Sequence, residues 1–445
     1  MRVDVAVIGA GTAGAAVTAL CAQRGLSVLC LERGALEQAG ARWLNGVPFS
    51  CFDAAGIPRP EGEELAGSAH DFYLVAGWRG PKLRVDRSSV PEVDMRMLVS
   101  RLQAMAVAAG AEFWGECTLQ GTDEQPERVI VSTDRGQVQA RWVVDASGLK
   151  GAGLLGQEPV APQDLCAAAQ QVRRLADPAA AAEFFAGHGV EPGTTLSFAG
   201  VAGGFSVLNV WFDGERVGLL TGSIPADDHR PGLRLLEDFA AEHAWIGETL
   251  FGGARMIPLR RPLPRLCSGR FAAVGDAARQ VFPAHGSGIG VGLVAASVLA
   301  DSLAAGSGVE GYNFTWQRRH GGLMAAYDLF RRHSQRLEGS ELEQLMGCGV
   351  LEPESVLAAM EQRLPVPDPV SAVRKIIGLA RAPRIARSLL PVLVRMGRVM
   401  ALYGRYPKQP DAQLPWAARV ARIFGELPAT EGLGKPGRLT AAGRR

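Results

Sequence analysis

Residues 5–14 read Val-Ala-Val-Ile-Gly-Ala-Gly-Thr-Ala-Gly, an apolar strand that runs straight into a glycine-punctuated turn and a small-residue helix. Few folds accept that order. Gly9 permits the tight turn out of the strand, Gly11 lets the backbone approach a pyrophosphate, and Gly14 lets the helix pack closely. Thr12 and Ala13 fall in the first helical turn, whose amides lack intrahelical acceptors and suit an anion. Leu26 to Leu31 reads as the second strand. Glu32 closes it about 20 residues beyond the glycines, where a carboxylate can accept ribose hydroxyls. Arg33 admits two readings, a contact to the adenine end or a solvated side chain. A doubly wound α/β sheet that binds a dinucleotide is the expectation.

A second glycine motif lies far downstream. Phe271-Ala272-Ala273-Val274-Gly275-Asp276-Ala277-Ala278 is followed by Pro283 and by Gly286, Gly288, Gly290 and Gly292. Arg270 to Val274 is expected to return as a central strand of the first sheet, and Gly288 to Leu303 as a helix rich in small residues. Between the two motifs, Val90 to Gly110 reads as a helix with Met97, Leu98, Leu102 and Met105 on one face. Glu112 to Trp114 reads as a strand, and 117–121, 128–133 and 137–144 as an antiparallel meander ending in Asp145-Ala146-Ser147-Gly148. Gly34 to Lys82 shows no clean periodicity. Strands at 194–198, 205–212 and 216–221, with an amphipathic helix at 233–243, predict a second, antiparallel domain.

The predicted organisation is a Rossmann-like domain over 1–45, 84–157 and 265–305, and a substrate domain over 46–83 and 158–264. A helical C-terminal region covers 306–426, with a Gly-, Pro- and Arg-rich tail over 427–445 whose composition predicts disorder. At 445 residues the chain is too long for one simple core. Its net charge of +2 gives no case for nucleic acid. Seven scattered cysteines without a Cys-x-x-Cys pair argue for reduced thiols in a cytoplasm, and no metal-ligand spacing occurs. Val3 already begins the first strand, so no signal peptide is expected.

Between Asp368 and Asp411 there is no acidic residue, while nine Arg and Lys side chains are interleaved with Ile, Leu, Val and Met. Pro383 and Pro391 are expected to break the stretch into short helices. Two readings stand for 370–408: a basic amphipathic surface on an anionic membrane, or a cap whose arginines snorkel outward.

Gly9, Gly11 and Gly14 with Glu32, the Asp145–Gly148 strand end, and Gly275-Asp276 followed by Pro283 and the glycine cluster resemble the flavoprotein superfamily containing para-hydroxybenzoate hydroxylase. Within it, the chain is most similar to the geranylgeranyl reductase branch. The resemblance covers roughly residues 1–305 and implies FAD. Asp276 would accept a ribityl hydroxyl, with Gly275 clearing space beside it. Val93-Asp94-Met95-Arg96-Met97-Leu98 is similar to the segment whose arginine lies near the flavin diphosphate, against a plain helix-surface role for Arg96. The helix beginning near Gly288 and Ile289 would point its N-terminus at the isoalloxazine, where oriented amides favour negative charge on reduced flavin.

The implied chemistry is reduction of carbon–carbon double bonds in an apolar or prenylated substrate. The alternative is a monooxygenase that hydroxylates a small ring. A flavin-binding protein without catalysis is the third possibility. None of the eight tryptophans sits two positions from another, so the halogenase pattern is missing. The Gly288-Ile289-Gly290 sequence is closer to the reductases, although their Tyr-x-Trp-x-Phe-Pro signature is missing too. His285 is a candidate proton donor or a loop histidine, and Cys51 a flavin-side thiol or a buried structural one. No second nucleotide motif is evident, so the reductant is NAD(P)H bound transiently, ferredoxin or free reduced flavin.

Overall fold

Val5 to Ile8 are buried on both faces of their strand, the pattern a central parallel strand requires. The computed structural model describes residues 1–66, 71–337, 339–366 and 368–427. In it the Arg2–Ile8 strand lies between Val28–Leu31 and Gly136–Asp145, parallel to both. Glu112–Trp114 extends the sheet beyond Val28–Leu31, and Phe271–Ala273 pairs in parallel with Gly136–Asp145. The meander is formed by Leu119–Glu124, Val129–Thr133 and the first half of Gly136–Asp145. The Phe271–Ala273 strand is not central as expected. It spans three residues and turns back through the two-residue strand Cys267–Ser268, which takes the edge.

The helix expected over 90–110 spans Met95–Ala108. Glu92–Asp94 instead pairs with Leu44–Gly46, because Pro91 and the branched Val90 and Val93 favour extended backbone. Asp94 then caps the helix, its carboxylate accepting from the Arg96 amide at 2.9 Å.

The second sheet has seven strands in the order 246–258, 165–175, 216–223, 206–212, 195–199, 71–76 and 82–86. All its pairings are antiparallel except Thr195–Ala199 on Asp71–Ala76, so the sheet is mixed rather than purely antiparallel. The helices Pro178–Gly187 and Gly232–Glu242 supply Phe185, Leu236 and Phe239 to its core. The stretch 34–82, which lacks clean periodicity, contributes short elements, among them the strand Asp71–Ala76 and the helix Phe49–Ala55.

A run of helices follows Ile289–Ala304. One turn between Gly308–Trp316 and Gly322–Ser334 widens to a π-turn over 317–321. Pro383 starts a helix rather than merely ending one, and Pro391 does not interrupt it: Pro383–Tyr403 is continuous. Its inner face, with Leu389, Val392 and Val399 buried, compensates for the missing backbone donor. The predicted disordered tail lies outside the described residues except at Leu427. Among the described residues no helix is long and apolar enough to cross a membrane.

Candidate functional site

Gly9 sits at φ +103°, and a Cβ there would fall 2.6 Å from the Ala146 carbonyl oxygen. A Cβ on Gly14 would lie 1.8 Å from the carbonyl oxygen of Gly9. No side chain satisfies either position, so the first turn of the Thr12–Gln23 helix packs down on the strand-to-helix loop itself. That helix starts at Gly11 without a side-chain cap, which leaves its leading amides as open donors. Glu32 is drawn into the same loop. Its carboxylate accepts from the Ala10 amide at 2.9 Å and the Gly34 amide at 3.1 Å. Gln103 holds the loop from the other side, donating to the Ala10 and Leu36 carbonyls at 3.2 Å each.

The distant second motif folds against this turn. A Cβ on Gly275, which adopts φ +69°, would fall 2.9 Å from the Ala13 Cβ, and one on Gly292 would fall 3.5 Å from it. Gln280 fixes the Gly275 turn by accepting from its amide at 2.9 Å. It also donates to the Tyr312 hydroxyl, which bonds the Ala273 carbonyl. The Ile289–Ala304 helix begins at Gly288, again without a side-chain cap. Two uncapped helix N-termini therefore meet around Ala13.

Asp276 stands between them, with Gly288 so close that a Cβ there would lie 3.2 Å from its Oδ1. The carboxylate is enclosed by protein yet still reached by solvent, and among the described residues nothing donates to it. Burial pushes its pKa up to about 6, with Arg255 opposing the shift. Arg255 donates to the Gly40 carbonyl at 2.6 Å and lies over Trp43 at 5.7 Å. Gly40 in turn touches Gly11, where a Cβ would meet its Cα at 3.2 Å.

Arg33 and Arg96 make no hydrogen bond to the other expected residues. Arg33 is exposed. Arg96 pairs with Asp94 at 2.5 Å and stands 4.1 Å over the Phe251 ring.

The catalytic candidates meet at the start of the Ile289–Ala304 helix. A Cβ on Gly290 would lie 2.6 Å from the Cys51 Sγ, and the thiol is 3.6 Å from the Gln362 Oε1. Burial pushes the Cys51 thiol up to about 12, so it stays protonated at neutral pH. The His285 ring stacks on Phe282 at 5.2 Å and is exposed. Its Nδ1 accepts from the Ser287 amide at 3.3 Å, which makes Nε2 the donor to the Ala359 carbonyl at 3.1 Å. That setting lowers its pKa to about 4, chiefly by desolvation, and holds the ring neutral. Gln362, at φ +59°, is the neighbour sequence reasoning missed. Gln103, Gln280 and Arg255 were missed as well. Of these, only Gln280 lies inside a motif the sequence singled out, between Asp276 and Pro283.

No family model matches the chain. It is 24% identical over 456 aligned residues to the digeranylgeranylglycerophospholipid reductase of Sulfolobus acidocaldarius, covering 96% of this chain and 98% of that one. The geranylgeranyl bacteriochlorophyll reductase-like protein of Thermoplasma acidophilum superposes with a TM-score of 0.70 at 17% identity, over 88% of this chain and 99% of its own. PqsL of Pseudomonas aeruginosa, a probable FAD-dependent monooxygenase, superposes with a TM-score of 0.56 at 18% identity, over 77% of this chain and 97% of its own.

Proposed function

We propose that this chain, which has the fold of the superfamily that includes para-hydroxybenzoate hydroxylase, is an FAD-dependent oxidoreductase that reduces carbon–carbon double bonds of an apolar, prenylated substrate. The observation that carries the cofactor assignment is the meeting of the two glycine turns at Ala13, with the undonated Asp276 carboxylate beside them. FAD fits these groups. Thr12, Ala13 and Gly14 would offer amides to its diphosphate, Glu32 would take its ribose, and Asp276 would accept from its ribityl chain. Gly288 and Ile289 bring the second helix N-terminus to the isoalloxazine, and Arg255 lends positive charge beside Asp276. Arg96 and Arg33 would be further contacts, as the resemblance implies.

When bound, FAD supplies the hydride. The uncapped N-terminus of the Ile289–Ala304 helix would hold negative charge on the reduced cofactor with its amides. In this reading neither Cys51 nor His285 delivers the proton. The thiol holds its proton too tightly, and the imidazole is neutral with its one N–H committed to Ala359. Solvent then supplies the proton. A diffusible reductant, NAD(P)H or a reduced carrier, reloads the flavin. The protein works in the cytoplasm and meets its lipid-like substrate at a membrane periphery.

The test is anaerobic. Reduced, FAD-loaded protein mixed with a detergent-dispersed polyprenyl lipid should regain oxidised flavin absorbance and yield a saturated product. Reoxidation only with oxygen and a small aromatic compound, with hydroxylated product, would replace this reading with the monooxygenase one.

A further inference from the structure

The helices Pro369–Arg381 and Pro383–Tyr403 each bury one face and leave a second apolar face uncovered. Ile385, Leu389, Val392 and Val399 point inward, and Gly378 packs on the Cys348 carbonyl. Those contacts suffice to hold the helices in place. Yet Val370 is 65% exposed, Val373 56%, Ile376 66% and Val394 62%, at helical spacings that make an outer stripe. Just before it, Val366 is 67% exposed. Soluble surfaces scatter single apolar residues but rarely line them up along two consecutive helices.

Charge singles out the partner. No acidic residue occurs from 369 to 410. Arg374 and Lys375 are paired with Glu352. Arg381, Arg384, Arg387, Arg395 and Arg398 are exposed, and among the described residues none has a carboxylate within ion-pair distance. Uncovered valines and isoleucines beside unpaired guanidinium groups match an anionic bilayer surface, whose acyl boundary takes the apolar side chains while its headgroups take the charge.

We propose that this face docks on the surface of a bilayer containing anionic lipid, and that the segment 362–366 is the path from that surface to the active site. Gln362 touches Cys51, and Ala359 receives His285. From Gln362 the chain needs four residues to reach Val366, at most about 14 Å when fully extended. This inference rests on the proposed prenyl-reductase reading and adds where the substrate enters and what the protein stands on.

The experiment is co-sedimentation of the FAD-loaded full chain with vesicles of phosphatidylcholine alone or mixed with phosphatidylglycerol. Each basic side chain near an anionic surface contributes roughly fivefold to partitioning. Binding to the mixed vesicles should exceed binding to the neutral ones by about tenfold or more and should weaken as salt rises. The exposed pair Ile376→Asp with Val394→Asp, and separately Arg384→Glu with Arg387→Glu, should each lower it by about tenfold, and each should still reduce detergent-dispersed substrate at the parent rate. Equal binding to both vesicle types, or variants that bind like the parent, would overturn the proposal. So would a dimer in sedimentation velocity that the Ile376→Asp and Val394→Asp pair converts to monomer. Turnover in detergent without vesicle binding sinks this inference alone, whereas vesicle binding without flavin uptake sinks the prenyl-reductase reading.

Discussion

Asp276 is a carboxylate that the protein surrounds but does not satisfy. Replacing it by Asn removes a charged acceptor, and the loss of one such hydrogen bond is worth about 1.5–3 kcal/mol. FAD affinity of Asp276→Asn should fall by about tenfold or more in a fluorescence titration. The free carboxyl has its pKa raised to about 6, and the ribityl hydroxyls need it ionised as an acceptor. FAD binding by the parent should therefore weaken as pH falls through about 6, and Asp276→Asn should lose that dependence. Gly290 offers a second test. An alanine Cβ there would stand 2.6 Å from the Cys51 Sγ, so Gly290→Ala should cost about 1–3 kcal/mol in denaturant unfolding, and adding Cys51→Ala should recover part of it. At this scale the sequence is legible where backbone geometry leaves a single residue type, as at Gly9 and Gly275. It is silent on Arg255, Gln280 and Gln362, whose roles depend on neighbours far away in the chain.

Among the elements, those with a strong pattern are readable and those stabilised by pairing alone are not. The parallel strand at 2–8 is apolar on both faces, and the helix at 232–242 is apolar on one. By contrast, Leu165–Leu175 runs Leu-Cys-Ala-Ala-Ala-Gln-Gln-Val-Arg-Arg-Leu, and Ile246–Pro258 carries Gly252 and Gly253 with most of its length exposed. Neither alternates cleanly. They become strands because each pairs with the other along nearly its whole length. Pro391 shows the converse, a local rule overridden by packing. Because the helix tolerates a missing donor there, Pro391→Ala should stabilise the protein by about 1–3 kcal/mol in chemical denaturation. A destabilising result would mean that the proline sets a bend the neighbouring helices need.

For the molecule as a whole, one ionic cluster ties the second sheet to the C-terminal helices. Arg261 and Arg332 reach Glu426, just past the final helix. Arg331 and Arg332 reach Asp164, just before the Leu165–Leu175 strand, and Asp328 within their own helix. Asp328 is fully buried. Burial alone would raise its carboxyl, but the charges of Arg332, Arg331 and Arg261 outweigh that and bring it down to about 2, and Glu426 is likewise lowered to about 2. Their stabilising effect is complete above the ordinary carboxylate range and should be lost as pH falls from about 4 toward 2. Asp328→Asn leaves three guanidinium groups short of a charge and should cost about 3–5 kcal/mol, seen as a lowered Tm at neutral pH and a flatter acid limb. None of this cluster was legible in advance, since its members are scattered from 164 to 426.

The measurement that bears most directly on the account is the anaerobic return of flavin absorbance when the reduced, FAD-loaded protein meets a polyprenyl lipid. Stoichiometric reoxidation with a saturated product, in the absence of oxygen, is the predicted result. A protein that takes up FAD yet stays reduced against every unsaturated isoprenoid offered would contradict it.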